Sequence, residues 1–163
     1  MPENFVQQQW LFAALVFLVI LVYLAWYRRQ ERRWIKRHYN GDEIIALSFG
    51  VTFFGCETEN GGIRQRRGFL LLLSDRLVFR CSFKRVLLEI PVSRTIRVYH
   101  DQSHKNIELH QSVVKVDFLT SNHVKDTAAF KVPYPPQWIS AIQKVIPANL
   151  KARPFSAAAP GSN

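Results

Sequence analysis

Residues 10–27 read WLFAALVFLVILVYLAWY, 18 apolar or aromatic side chains without a charge, and residues 28–37 read RRQERRWIKR, six basic side chains against one acid. As a helix rising about 1.5 Å per residue, the uncharged run spans about 27 Å, close to the roughly 30 Å hydrocarbon core of a bilayer. Trp10 at one end and Tyr23, Trp26 and Tyr27 at the other sit where amphipathic rings favour the headgroup level. A cleaved secretory signal would want a basic leader, a shorter apolar stretch and a small-residue cleavage site, and a buried core helix would carry a polar stripe. None of these features is present, so the run is expected to be a transmembrane helix.

Direction follows from the flanking charge. The leader, residues 1–9, has one Glu and no Lys or Arg, whereas Arg28, Arg29, Arg32, Arg33, Lys36 and Arg37 crowd the other flank. The positive-inside tendency then places the N-terminus outside and the C-terminal bulk in the cytoplasm, at the cell membrane in a single pass. The expected division is an extracytoplasmic leader (1–9), a transmembrane helix (10–27), a basic juxtamembrane segment (28–40), one β domain (41–146) and a disordered tail (147–163). The tail is small and proline-punctuated and has no periodic apolar face.

From residue 41 the pattern changes to short runs of Val, Ile, Leu and Phe broken by Gly, Asn, Asp, Ser and Pro, the composition of strands and turns. Candidate strands cover 43–53, 68–73, 76–82, 86–90, 95–100, 106–110, 113–120 and 127–132. Within 113–118, Val114, Val116 and Phe118 form an apolar face and Val113, Lys115 and Asp117 a largely polar one, as in a sheet wet on one side. Ser74-Asp75 is expected as a tight reversal, and Asn60-Gly61-Gly62 as a longer connection between the first two strands. After Val132 three prolines end the sheet. Trp138, Ala141, Ile142, Val145 and Ile146 then recur at helical spacing over 137–146, with Pro136 suited to a first turn and Pro147 to a stop.

Seven or eight antiparallel strands followed by one amphipathic helix resemble pleckstrin-homology-like (PH-like) folds. The chain is similar to the GRAM and bacterial PH-like families in Gly41-Asp42-Glu43-Ile44-Ile45, in the hairpin GFLLLLSDRLVF of residues 68–79, and in Ile90-Pro91-Val92 leading to Ile96. Ser74 stands where those families usually place Thr. The resemblance spans roughly residues 41–146. It implies a mainly-β PH-like domain behind the transmembrane helix, with early loops that border a headgroup site.

Composition narrows the function classes. Of the net charge of +10, residues 41–163 contribute 16 Lys or Arg against 10 Asp or Glu, so the folded part is basic by itself. Beside a bilayer such a domain is drawn to anionic phospholipids, at about 1 kcal/mol per basic residue near the surface. The residues expected to meet that surface are the six of the juxtamembrane segment, then Arg64, Arg66 and Arg67 beside the first turn and Arg80, Lys84 and Arg85 around the next. Nucleic acid would suit the charge, but no nucleic-acid-binding motif accompanies it. Cys56 and Cys81 fit neither a CxxC redox pair nor a zinc site, and no nucleophile elbow, Walker A loop or dinucleotide fingerprint is present. His100 and His104 with Asp101 come nearest to a ligand cluster, but their placement at a strand end and polar turn reads as solvated histidine. The sequence therefore predicts a non-enzyme without cofactor or metal: a membrane-anchored adaptor or reader of anionic lipid. The alternative is an accessory subunit of a larger membrane complex, docking a membrane or cytoplasmic protein partner.

Overall fold

A computed structural model describes residues 3–39, 43–82 and 87–146. The chain forms two compact units, residues 1–41 and 42–163, described here in turn. Gly41 and Asp42, Lys84 and Arg85, and residues 147–163 lie outside the described residues, so the expectations placed on them do too.

The first unit is one helix, α1 (Glu3–His38). No Gly or Pro interrupts these residues, so the i to i−4 ladder has no reason to break. The expected leader from Glu3 onward and the expected juxtamembrane segment up to His38 are therefore turns of the same helix. At about 54 Å it exceeds a hydrocarbon core, and it is long and apolar enough to cross a membrane. Its last turn carries Lys36, Arg37 and His38, favourably placed at the negative end of the helix dipole. His38 Nδ1 lies 2.9 Å from the Trp34 carbonyl, and the two rings stack at 4.2 Å.

The second unit is a seven-stranded antiparallel sheet with a C-terminal helix. In chain order the strands are β1 (Ile44–Cys56), β2 (Arg66–Leu73), β3 (Arg76–Cys81), β4 (Leu87–Pro91), β5 (Thr95–His104), β6 (Ile107–Leu119) and β7 (Lys125–Lys131), followed by α2 (Pro135–Val145). Across the sheet the order is β4-β3-β2-β1-β7-β6-β5. Central β1 pairs with β2 along most of its length and with β7 only from Thr52 onward. It changes partner through two register shifts, at Gly50 (φ 71°) and near Gly55 (φ 94°), where glycine tolerates the left-handed backbone that bends the strand.

Two expectations change in β5 and β6. The segments 106–110 and 113–120 are one strand, so six of the eight candidates stand as separate elements and the other two merge into the seventh. The polar run Asp101 to His104 is the end of β5 rather than a turn. The reversal falls on Lys105 and Asn106, both at positive φ (50° and 59°), the two-residue geometry that suits strand twist.

One face of the sheet carries the main core: Val51, Phe53, Leu70, Leu72, Phe79, Val98, Val114, Val116 and Phe130 pack with Trp138, Ile142 and Ile146 from the α2 end. Rings of Phe53, Phe79 and Phe130 lie 5.0–5.9 Å apart. Pro135 and Pro136 open α2 where no backbone donor is lost. The other face is not simply wet. Phe54, Val113 and Ala129 form a second small cluster against Ile63 and Leu109. Lys115 and Asp117, expected on a solvent face, are 5% and 1% exposed.

Candidate functional site

The six basic residues after the apolar run are all exposed on α1. At about 100° per residue, Arg28, Arg32 and Lys36 form one row along the helix and Arg29, Arg33 and Arg37 the adjacent row. Together they occupy one half of the circumference, and Glu31, Trp34 and His38 the other. Six cations thus share one side of a helix over two and a half turns.

In the β unit, register decides which basic residues share a surface. Thr52 on β1 is directly opposite Arg67 on β2 and directly opposite Lys131 on β7. Cross-strand partners point to the same face, and Val51 and Phe53 on either side of Thr52 point into the main core. Arg67, Thr52 and Lys131 therefore form one row across three strands on the face away from α2. Arg67 and Lys131 are exposed, Thr52 is half-buried, and neither cation has an ion-pair partner among the described residues. Arg80, half-buried on β3, is opposite Phe69 and so occupies the same face one strand further out.

Arg66 is separated from this row by strand alternation. Its guanidinium forms a two-pronged pair with Glu59, Nη1 to Oε2 at 3.2 Å, and lies 5.8 Å from the Phe53 ring centroid. That pairing holds the Glu59 carboxyl below its usual range. Arg64 is exposed in the connection between β1 and β2, immediately after Ile63, which seats on the second apolar cluster. That connection is also clamped elsewhere. Lys105 Nζ donates to the carbonyls of Glu59 (2.5 Å) and Gly61 (3.3 Å), and Thr58 donates to Asp126 through its backbone N (3.1 Å) and hydroxyl (2.6 Å).

Sequence reasoning missed Lys131, which alternation with Ala129 could have put on the outer face. It also missed the buried polar network on β5–β7. Asp117 accepts from Lys125 Nζ (3.1 Å), Thr127 Oγ1 (2.9 Å), Tyr99 OH (3.4 Å) and Arg97 Nη2 (3.5 Å). Lys115 Nζ donates to Asp101 at 2.9 Å, with Glu57 at 4.0 Å. Buried Lys115 and Asp117 are each met by partners of opposite sign, and buried Asp126 by the neutral donors of Thr58 and Thr127, the condition for tolerating them inside.

His104 is fully buried in β5 rather than solvated in a turn. Its Nε2 lies 3.0 Å from the Gly55 carbonyl, which fixes Nε2–H as donor, and Nδ1 has no partner among the described residues. Burial first, and then the Lys115 charge, push its pKa down. His100 is exposed on the same strand. Among the described residues no group of three or more His, Cys, Asp or Glu converges as a metal site would require. The Cys56 thiol is pushed up to about 12 by burial and then by the Asp126 and Glu59 charges, opposite to the shift a nucleophilic cysteine needs. Cys81 is a buried free thiol.

No protein-family model matches the chain, and no curated protein does. Among solved structures, the chain is similar to the C-terminal domain of an unknown protein from Leishmania infantum, at 12% identity and a TM-score of 0.46, over 63% of this chain and 82% of that one. A likeness at that level carries no argument about fold family or activity.

Proposed function

We propose that the chain is a single-pass membrane protein whose cytoplasmic PH-like module is non-catalytic and acts as an adaptor or reader of anionic lipid surfaces. The observation that carries this reading is the pair of adjacent basic rows on α1, which begin where the apolar run ends. A helix that leaves a bilayer with six cations on one side has a charged flank at headgroup depth, attracted to anionic lipid at about 1 kcal/mol per residue. The same asymmetry favours an outside N-terminus. Supporting the PH-like assignment are the four-stranded meander β1–β4, a bulged β1 that turns the sheet toward β5–β7, and a terminal helix over the main core.

A second reading, an accessory subunit that docks a protein partner, draws on a different feature. Among the described residues, no strand pairs with 44–51 of β1 on the β7 side, and a groove of about 500 Å³ lies between Ile45 and Pro136, Ala141 and Lys144 of α2. Backbone groups at such an edge can pair with an added strand.

Carbonate extraction and protease added outside sealed cells test anchoring and orientation. Release of the intact chain, or digestion of the β domain from outside, refutes the reading. Co-sedimentation of residues 41–163 with neutral and anionic liposomes then separates the two roles. Binding that grows with anionic lipid and falls with salt supports the lipid reader, and no binding at low salt supports protein docking.

A further inference from the structure

We infer that Arg67, Thr52 and Lys131 form a discrete site for one phosphomonoester group on the face of the sheet opposite α2. The inference rests on the reading of this domain as a lipid-surface reader and names the chemistry of the ligand.

Adjacent antiparallel strands lie about 4.8 Å apart, so the Arg67 and Lys131 backbones stand about 10 Å apart with Thr52 midway. Two long cationic side chains rooted at that separation can lean over the central strand and meet a tetrahedral anion seated there. The groups offered are complementary. The Arg67 guanidinium supplies a planar two-pronged donor, the Lys131 ammonium a compact charge, and the Thr52 hydroxyl a short neutral donor beneath them. Several other basic residues of this domain are already held: Arg66 by Glu59, Arg76 by Asp75 and Glu89, Lys115 by Asp101, Lys125 by Asp117, whereas exposed Arg64, Arg94 and Lys144 have, among the described residues, no cation placed across a hydroxyl from them. Arg67 and Lys131 are cations without an ion-pair partner among the described residues, and the register sets them on either side of one hydroxyl.

The platform beneath them is rigid. Thr52 lies between the buried Val51 and Phe53, and Lys131 follows the fully buried Phe130. Arg67 is anchored on its far side by the Ser82 amide, which donates to its carbonyl at 2.9 Å. A site on paired strands fixes the backbone positions from which its donors extend, which distinguishes it from the basic rows of α1, where charge is spread along a helix.

A phosphomonoester can come from a lipid headgroup such as phosphatidic acid or from a soluble phosphate. The full chain in neutral detergent is titrated with dioctanoyl phosphatidic acid and, separately, with inorganic phosphate, at moderate and at raised salt. The variants are R67Q, K131Q and T52V, with R94Q as control, because Arg94 is exposed on the turn after β4 and its loss changes the net charge equally. Saturable binding that survives raised salt, weakens about tenfold or more in R67Q and K131Q, and is unchanged in R94Q supports the site. Binding of the lipid alone assigns the headgroup source, and binding of inorganic phosphate as well assigns the soluble one. Equal weakening in R67Q, K131Q and R94Q overturns the site and leaves delocalised lipid attraction standing. No binding of either probe overturns the site as well.

Discussion

Lys115 Nζ on β6 lies 2.9 Å from Asp101 Oδ2 on β5, an ion pair in which the ammonium is almost entirely enclosed and the carboxylate is partly open to solvent. The Lys115 side chain crosses beneath Tyr99, its Nζ 6.0 Å from the ring centroid. The pair closes the polar network that would otherwise leave a buried charge uncompensated.

Asp101 should consequently make stability acid-sensitive in a defined window. The Lys115 hydrogen bond, and then the Gln102 amide, lower its pKa from 3.8 to about 2. A depressed carboxyl contributes fully above its unfolded value, and the contribution fades as pH falls from 3.8 toward 2. Asp101→Asn is expected to cost about 1–3 kcal/mol at neutral pH, because the Lys115 ammonium keeps only Glu57, at 4.0 Å. Lys115→Met should cost less, since it leaves behind the more exposed partner. Urea denaturation followed by Trp fluorescence checks both, and the difference between wild type and Asp101→Asn should shrink at acid pH.

His104 acts in a higher pH range. Burial lowers its pKa below the usual 6.5, so the unfolded chain takes up the proton first, and stability falls as pH drops below that value. The groups facing it reinforce the sign: Lys115 and Lys105 oppose its protonation, and Glu57 only partly offsets them. His104→Gln keeps an N–H for the Gly55 carbonyl and removes the titration. Thermal melts between about pH 7.5 and about pH 5 should show a steeper loss for wild type than for the variant. Equal slopes would exclude His104 as the source.

Cys56 should be chemically quiet. With its thiol raised to about 12, the thiolate fraction at neutral pH is minute, and thiolate is the species that reacts with maleimides. Native protein is expected to label far more slowly than a free thiol, with both cysteines reacting on unfolding. Rapid native labelling of Cys56 would reopen the nucleophile question.

The elements were legible in sequence where their periods are unambiguous. Continuous apolarity marked α1, 3.6-residue spacing marked the Trp138 to Ile146 stripe, and Ser74-Asp75 marked its reversal. The β5–β6 hairpin was misread because its turn is Lys105-Asn106, neither of them glycine, while the polar Asp101 to Ser103 run imitates a loop. The same error exposed His104 on paper and buried it in the structure. Lys115 and Asp117 looked like a wet face because alternation reveals which residues share a side but not whether a polar network covers it. The Arg67, Thr52 and Lys131 row needed register, which joins positions 79 residues apart and has no local signature.

Gly68 provides a direct check on the β2–β3 packing. It is opposite Cys81 in register, and a Cβ built on it would fall 1.9 Å from the Arg80 carbonyl oxygen, a backbone atom that cannot swing aside. Gly68→Ala must therefore spread two paired strands or unseat their register. A loss of about 3 kcal/mol is expected, at the upper end for overpacking. Gly62→Ala is the matched control: nothing lies within 4 Å of its added methyl, and its φ is not in the left-handed region. It should change stability by no more than about 0.5 kcal/mol, with any gain arising from a less flexible unfolded chain. Denaturation midpoints of the two variants measure the contrast. A tolerated Gly68→Ala would mean that β2 and β3 do not approach as closely as their pairing requires.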